Sequence, residues 1–304
     1  MKSTRDAFGE ALAEFGSDER IVVLDADLSK STKTCMFAEK FPDRFFNVGV
    51  AEQDLFGTAA GFALTGKIPF ASTFAIFVCR AWEQIRNAIA YPNLNVRIAA
   101  THSGISCGED GVSHHATEDI ALMRAIPNMA VIVPADAIET KKAIKATLDW
   151  RGPVYIRMNR PKSPLIFNDD YDYEIGNASV IKDGSDVSII ACGIMVSEAV
   201  KASEILNKNG ISAEVVNMHT IKPLDAETIL KTGKKTGRIV TCEDHGIIGG
   251  LGSAVAEVIA GSNIKLERIG VKGFCESGSH EELFMKYGLN AESIANAIKN
   301  QVIK

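Results

Sequence analysis

The sequence predicts an α/β protein of two consecutive domains, each a mostly parallel sheet with helices on both faces. Three observations predict it. Short apolar runs rich in β-branched residues recur along the chain, amphipathic segments of helical period lie between them, and a Pro- and Asp-containing stretch interrupts the alternation near the middle. Strands and helices that alternate in this way build parallel sheets covered on both sides.

The first helix is expected over Thr4 to Phe15, where apolar residues at 8, 11, 12 and 15 share one face. Strands are expected at 20–24, 96–100, 130–133 and 153–156, from Arg-Ile-Val-Val-Leu, Val-Arg-Ile-Ala-Ala, Ala-Val-Ile-Val and Pro-Val-Tyr-Ile. Residues 47–53 read as a strand-like run that delivers Glu52 into the first turn of a small, apolar helix ending near Leu64. Another helix should open at Thr117-Glu-Asp, with threonine as N-cap and an acidic first turn. Residues 160–177 break the pattern with Pro161, Pro164, an Asn-Asp-Asp cluster and two tyrosines, as an interdomain linker does. Beyond it, strands are expected at 186–192, 213–217, 238–241 and 264–269, with helices near 196–208, 250–260 and 290–302. The resulting division is a first domain at 1–162, a linker at 163–178 and a second domain at 179–304.

The chain has 304 residues, 46% hydrophobic and 23% charged, enough to bury a large core and to form about two domains at the usual 100–200 residues each. A net charge of -5 without any Lys/Arg block gives no footprint for nucleic acid or an anionic membrane. The six cysteines are scattered with no Cys-x-x-Cys pair, which argues against a zinc site or a secreted disulfide framework. The start, Met-Lys-Ser-Thr-Arg-Asp, lacks the apolar core of a signal peptide, and no apolar run approaches the ~20 residues of a membrane span. A cytoplasmic protein is expected.

Glu52 calls for explanation, because a carboxylate set between Val50, Ala51 and an Ala/Gly/Phe helix either favours the helix dipole or acts on something. Capping alone would suffice for an isolated glutamate. The densest polar cluster, Thr101 to His115, carries His102, His114 and His115 with Glu109, Asp110 and interleaved glycines, after an expected strand and before an expected helix. Ligands bind open α/β sheets at such places. A single histidine there is better explained structurally; three with two carboxylates favour a site. Metal binding is the competing reading, although the loop lacks regular ligand spacing and adjacent His114 and His115 should diverge. Phe74, Phe77 and Trp82 lie near a strand end, where they either fill the core or present a face to a planar heterocycle. Arg160 reads locally as a solvated residue. Gly246 to Gly252 matches neither Gly-rich phosphate fingerprint and reads as a tight strand-to-helix turn.

Taken together, Gly49-Val-Ala-Glu52-Gln, Thr73-Phe74-Ala-Ile-Phe77, Ala100-Thr-His102 and Gly108-Glu-Asp110-Gly resemble the pyrimidine-binding part of the transketolase family in order and spacing. The resemblance spans the whole chain, with residues 179–304 similar to the family's C-terminal domain. The family's first domain, marked by Gly-Asp-Gly and a later Asn, has no counterpart here. The chain therefore resembles the C-terminal subunit of a split transketolase.

The resemblance implies thiamine diphosphate as cofactor, with Glu52 facing N1′ of its aminopyrimidine, Phe77 stacking on that ring, Phe74 lining the pocket and Asp27 close by. It implies that His102 and His114 act near the reacting carbon, a task for which histidine is expected because its ordinary pKa lies near the working pH, and that Asp110 reads a substrate hydroxyl. Arg5, Ser31 and Arg160 would grip the sugar phosphate, a task suited to the planar arginine fork. Mg2+ would be held mainly by a separate N-terminal subunit carrying the diphosphate site, in a heterotetramer that also self-dimerises. Gln53, Arg80, Val112 and His115 depart from common transketolase residues, and the Ala-Glu-Gln form also resembles 1-deoxyxylulose-5-phosphate synthase. The β subunit of a 2-oxo-acid dehydrogenase shares the fold and the glutamate, and a regulatory or assembly relic of the fold is the non-enzymatic alternative.

Overall fold

The computed structural model describes residues 1–302, with side chains through residue 300. Fourteen strands are present among them: β1 (Lys2–Ser3), β2 (Ile21–Asp25), β3 (Phe45–Asn47), β4 (Ile68–Phe74), β5 (Arg97–Thr101), β6 (Ala130–Ile132), β7 (Val154–Arg157), β8 (Lys162–Ser163), β9 (Ser179–Lys182), β10 (Val187–Ala191), β11 (Ala213–Asn217), β12 (Thr220–Lys222), β13 (Arg238–Gly246) and β14 (Lys265–Val271). One sheet has the order β12-β6-β7-β5-β4-β2-β3, parallel except at β12. The other has the order β14-β13-β10-β11-β9, parallel except at β9. The expected pair of mostly parallel, helix-covered sheets is thus present. Every residue of β2, β4, β5 and β7 is buried, as central strands clad on both faces require.

The apolar runs set the strands closely: β11 covers the residues expected of it, and β2, β5, β7 and β10 lie within one residue at each end. The helix Thr4–Phe15 is capped by Ser3, whose side chain accepts from Asp6 N–H, and it buries Phe8, Ala11 and Leu12. Two expectations need correction. The run 47–53 is not a strand: β3 ends at Asn47, Gly49 turns the chain at φ +76°, and Glu52 is the first residue of the helix Glu52–Leu64. Thr117 is not an N-cap: the helix is Asp119–Ala125, and the Thr117 carbonyl instead accepts from Gly246 N–H at 2.7 Å.

The two halves of the sequence are interlocked. β12, from beyond residue 178, pairs antiparallel with β6 and ends the first sheet, while β8 pairs with β1. Among the described residues no helix is long and apolar enough to cross a membrane.

Candidate active site

Five neighbouring strands of the first sheet, β7-β5-β4-β2-β3, run parallel, so the loops leaving their C-terminal ends gather along one edge. Each contributes to the site. Asp27 and Ser31 follow β2, Glu52 follows β3, Phe74 and Phe77 lie at and beyond the end of β4, His102, Asp110 and His114 follow β5, and Arg160 follows β7. Arg5 joins them from the N-terminal end of the helix Thr4–Phe15, which starts at that edge and runs away from it toward the beginning of β2.

The loop after β2 is shaped by Asp25, whose buried carboxylate accepts from Thr32 Oγ1 at 2.7 Å, Thr34 Oγ1 at 2.8 Å and Leu28 N–H. Asp27 takes φ +66°, a left-handed conformation that aspartate tolerates better than most residues. Asn47 ties this loop to the next: its Nδ2 donates to Asp27 Oδ1 at 3.0 Å, and its Oδ1 accepts from the Asp27 and Gly49 amides. The approach to Glu52 is thereby fixed against Asp27.

Glu52 is 3% exposed, yet among the described residues its carboxylate meets only Arg80 Nε, at 3.9 Å, from a side chain that is 65% exposed. A buried carboxylate with so little compensation is unusual. Nearby in sequence, Thr73 Oγ1 is also buried with no hydrogen-bond partner. Beyond it Phe74 and Phe77 stack, centroids 5.6 Å apart and planes 9° apart, with Phe77 only half-buried. Phe74 also stacks on His102 at 3.7 Å, and His114 sets its edge against Phe77 at 5.4 Å and Phe74 at 6.2 Å. The aromatic and histidine clusters expected from the sequence form one wall.

His102 is buried at φ +57°, between Thr101 Oγ1, 2.9 Å from Nδ1, and Arg5 Nη1, 3.0 Å from Nε2. Burial, reinforced by Arg5, Arg160, His114 and Lys33, pushes its pKa down to about 3. The expectation that His102 titrates near neutrality is therefore overturned: its ring is neutral at physiological pH. His115 turns away from the wall, its Nε2 meeting the Gly108 carbonyl at 2.9 Å.

Arg160 donates to the Cys107 carbonyl at 2.8 Å and approaches Glu109 at 3.4 Å and Asp110 at 3.6 Å. Arg5 is held by the Ser31 carbonyl at 3.1 Å, so Ser31 meets this arginine through its backbone. Burial, and after it the charge of Arg160, lower the Arg5 pKa, although Asp6 opposes the shift. Arg5 and Arg160 face one cavity of about 290 Å³, which Lys162 and His280 also line, together with the carboxylates Glu109 and Glu281. An anion there would relieve the repulsion between the two arginines. A larger hollow of about 700 Å³ lies elsewhere, among Glu10, Glu14, Lys141 and Lys145, and contains none of these groups.

Local reading missed three residues that shape the site: Asn47, Asp25 and Asp244, whose carboxylate holds the loop after His102. Asn47 and Asp25 stand at strand ends followed by turns, a position that could have drawn attention to them. Among the described residues no three His, Cys, Asp or Glu side chains gather as metal ligands.

Buried Glu52, the stacked Phe74 and Phe77 rings and the two arginines thus lie along one sheet edge of an α/β protein. Residues 1–164 match the family described as "Transketolase, pyrimidine binding domain", and residues 176–294 match "Transketolase, C-terminal domain". The chain belongs to the transketolase family. It is 55% identical to the "Putative transketolase C-terminal section" of Methanocaldococcus jannaschii, an alignment covering 100% of this chain and 97% of that protein. It is 42% identical to a Clostridium 6-deoxy-6-sulfo-D-fructose transketolase subunit, covering 96% of this chain and 92% of that one. A solved structure described as "Split gene transketolase, inactive beta4 tetramer" superposes with a TM-score of 0.93 at 49% identity, covering 100% of this chain and 99% of that chain.

Proposed function

We propose that this chain is the C-terminal subunit of a thiamine-diphosphate-dependent transketolase that moves a two-carbon ketol unit from a ketose phosphate to an aldose phosphate, in pentose phosphate metabolism. One observation carries the reading: buried Glu52, the Phe74–Phe77 platform and the arginines of a shared cavity converge at one sheet edge. The domains are assigned as pyrimidine-binding at 1–162 and C-terminal at 179–304, joined by a linker at 163–178.

The residues fit the pyrimidine end of the cofactor, because among the described residues Thr73 Oγ1 is buried without a partner, the buried Glu52 carboxylate has only the distant Arg80, and the Phe77 ring is partly free to stack. Glu52 would bind the ring nitrogen by a charge-assisted hydrogen bond. In this reading Phe74 would line the cofactor pocket and Asp27 would stand close to it. When bound, the cofactor supplies the nucleophilic carbon and electron sink that cleavage of a ketose C–C bond needs. Neutral His102 would meet a substrate hydroxyl through Nε2 once Arg5 Nη1 turns from it to the phosphate, and His114 would serve in proton transfer. Asp110 reads a further hydroxyl, while Arg5, Ser31 and Arg160 seat the terminal phosphate.

The diphosphate end and Mg2+ are assigned to a separate N-terminal subunit, in a heterotetramer that also self-dimerises. Similarity to a "C-terminal section" and to a split-gene protein described as an inactive β4 tetramer supports this division. Two arginines on one cavity favour a sugar phosphate over the substrate of a 2-oxo-acid dehydrogenase β subunit. The test is to mix the chain with its N-terminal partner, thiamine diphosphate and Mg2+ and to assay xylulose 5-phosphate with ribose 5-phosphate. Ketol transfer is expected from the mixture and not from the chain alone; its absence from the mixture refutes the reading.

A further inference from the structure

The loop between His102 and Asp110 is held from the other half of the chain. Asp244, in β13, is buried, and its carboxylate accepts from Ile105 N–H at 2.8 Å and Ser106 N–H at 3.3 Å. Those amides open the single 3-10 turn Ile105–Cys107, so Asp244 does for this turn what an N-cap side chain does for a helix. Gly104, at φ +69°, permits the approach: a Cβ there would lie 2.2 Å from Asp244 Oδ2. The Asp244 carbonyl in turn accepts from Arg157 Nη2 at 2.9 Å, and Arg157 is paired with buried Asp119 at 2.8 Å. At the far end of the turn, the Cys107 carbonyl receives Arg160 Nη1 at 2.8 Å. Contacts therefore run unbroken from Asp119 through Arg157, Asp244 and the turn to a guanidinium that faces the cavity.

We propose that Asp244 is a positioning residue for anion recognition: it sets the 105–107 turn and, through the Cys107 carbonyl, aims Arg160 at the terminal phosphate of the sugar. The proposal rests on the ketol-transfer reading above. It gives the C-terminal domain a part in substrate choice without contact to substrate. Without the carboxylate, two buried amides lose their acceptor, a state that proteins avoid by local rearrangement. The turn that would rearrange is the one whose carbonyl holds Arg160.

The test uses the reconstituted subunit pair with hydroxypyruvate as a donor lacking phosphate, and with ribose 5-phosphate or unphosphorylated ribose as acceptor. Asp244→Asn keeps one acceptor and Asp244→Ala keeps none. The KM for ribose 5-phosphate should rise on the order of tenfold in the alanine variant and less in the asparagine variant. The KM for ribose and the kcat on either acceptor should change clearly less than the KM for ribose 5-phosphate, since Arg160 faces the phosphate directly and meets Asp110 only at 3.6 Å. In an Arg160→Ala background, Asp244→Ala should add little further loss of ribose 5-phosphate affinity. Equal losses on both acceptors, undiminished additivity with Arg160→Ala, or failure of both variants to fold and assemble would each overturn the positioning role. If the wild-type pair transfers to neither acceptor, the functional reading falls first; if it transfers to both and the variants show no split, only the role of Asp244 falls.

Discussion

Arg5 Nη1 lies 3.0 Å from His102 Nε2, and this contact fixes the protonation state of the imidazole. Arginine only donates, so Nε2 must accept, leaving the ring proton on Nδ1 to donate to Thr101 Oγ1 at 2.9 Å. A second proton would set an imidazolium against a guanidinium in a buried place. The pKa of about 3, caused first by burial and then by Arg5 and Arg160, agrees with that geometry.

His102 should therefore show no titration between about pH 5 and 8, where an unperturbed histidine at about 6.5 would change charge. Ring nitrogen shifts in the 15N-labelled chain provide the check, and a midpoint near 6.5 would contradict the assignment. The sign for stability follows from a folded pKa below the unfolded one. The contribution is present above about pH 6.5 and is lost as pH falls toward 3, because the unfolded chain then binds the extra proton. His102→Gln should flatten this acid limb in urea titrations across that range.

Glu52→Gln should nearly abolish ketol transfer by the reconstituted pair while leaving the fold intact. The residue begins the helix Glu52–Leu64, where a first-turn acid is worth about 1 kcal/mol or less, so the unfolding midpoint should barely move. Catalysis should fall by roughly 100-fold or more, the scale of a lost proton-handling group. Steady-state kinetics beside circular dichroism decides it, and near-normal turnover in a folded variant would remove Glu52 from cofactor activation.

The legibility of the site follows from the range of its interactions. β2, β5 and β11 could be read because a run such as Ile-Val-Val-Leu has one solution when both faces are covered. The edge carrying the site was legible because its motifs follow strands, and the structure gathers Glu52, Phe74, Phe77, His102, His114 and both arginines there. Thr117 misled because its carbonyl is taken by Gly246, a tertiary contact that overrides a sound local capping signal. The neutrality of His102 could not be read, since it depends on burial and on Arg5 from 97 residues away. Asp244 is further still, 139 residues from Ile105, and β12 joins the first sheet from the second half of the chain. Such pairings leave no periodicity for a single sequence to display.

Arg157→Met should destabilise the chain by about 3–5 kcal/mol, because it strands the Asp119 carboxylate in the interior. Asp119 is fully buried and takes hydrogen bonds from Arg157 Nε at 2.8 Å, Arg157 Nη2 at 3.1 Å and Tyr155 OH at 2.6 Å. Replacing both charges, as Arg157→Met with Asp119→Asn, should cost clearly less than the single change, since no unpaired charge remains. Urea unfolding of the three proteins checks the order, and a double variant weaker than the single one would contradict it.

Glu139 gives stability a second pH dependence, of opposite sign to that of His102. Its buried carboxyl joins three parts of the chain, accepting from Ala135 N–H at 2.6 Å, Tyr171 OH at 2.9 Å and Asn217 Nδ2 at 2.7 Å. Burial dominates these donors, and the neighbouring Asp136 adds to it, so the pKa rises to about 8. The folded chain thus holds a proton that the unfolded chain releases near pH 4.5. Stability from this group is complete below about pH 4.5 and declines as pH rises toward 8, because νN exceeds νU throughout that window. Thermal midpoints measured between pH 5.5 and 8.5 should fall with pH in the wild type and fall less steeply in Glu139→Gln, which cannot ionise. The glutamine also keeps one acceptor for the Ala135 amide or Asn217, so the variant should fold at pH 7. Parallel slopes in the two proteins would show that Glu139 is already ionised at neutral pH, with its three donors outweighing its burial.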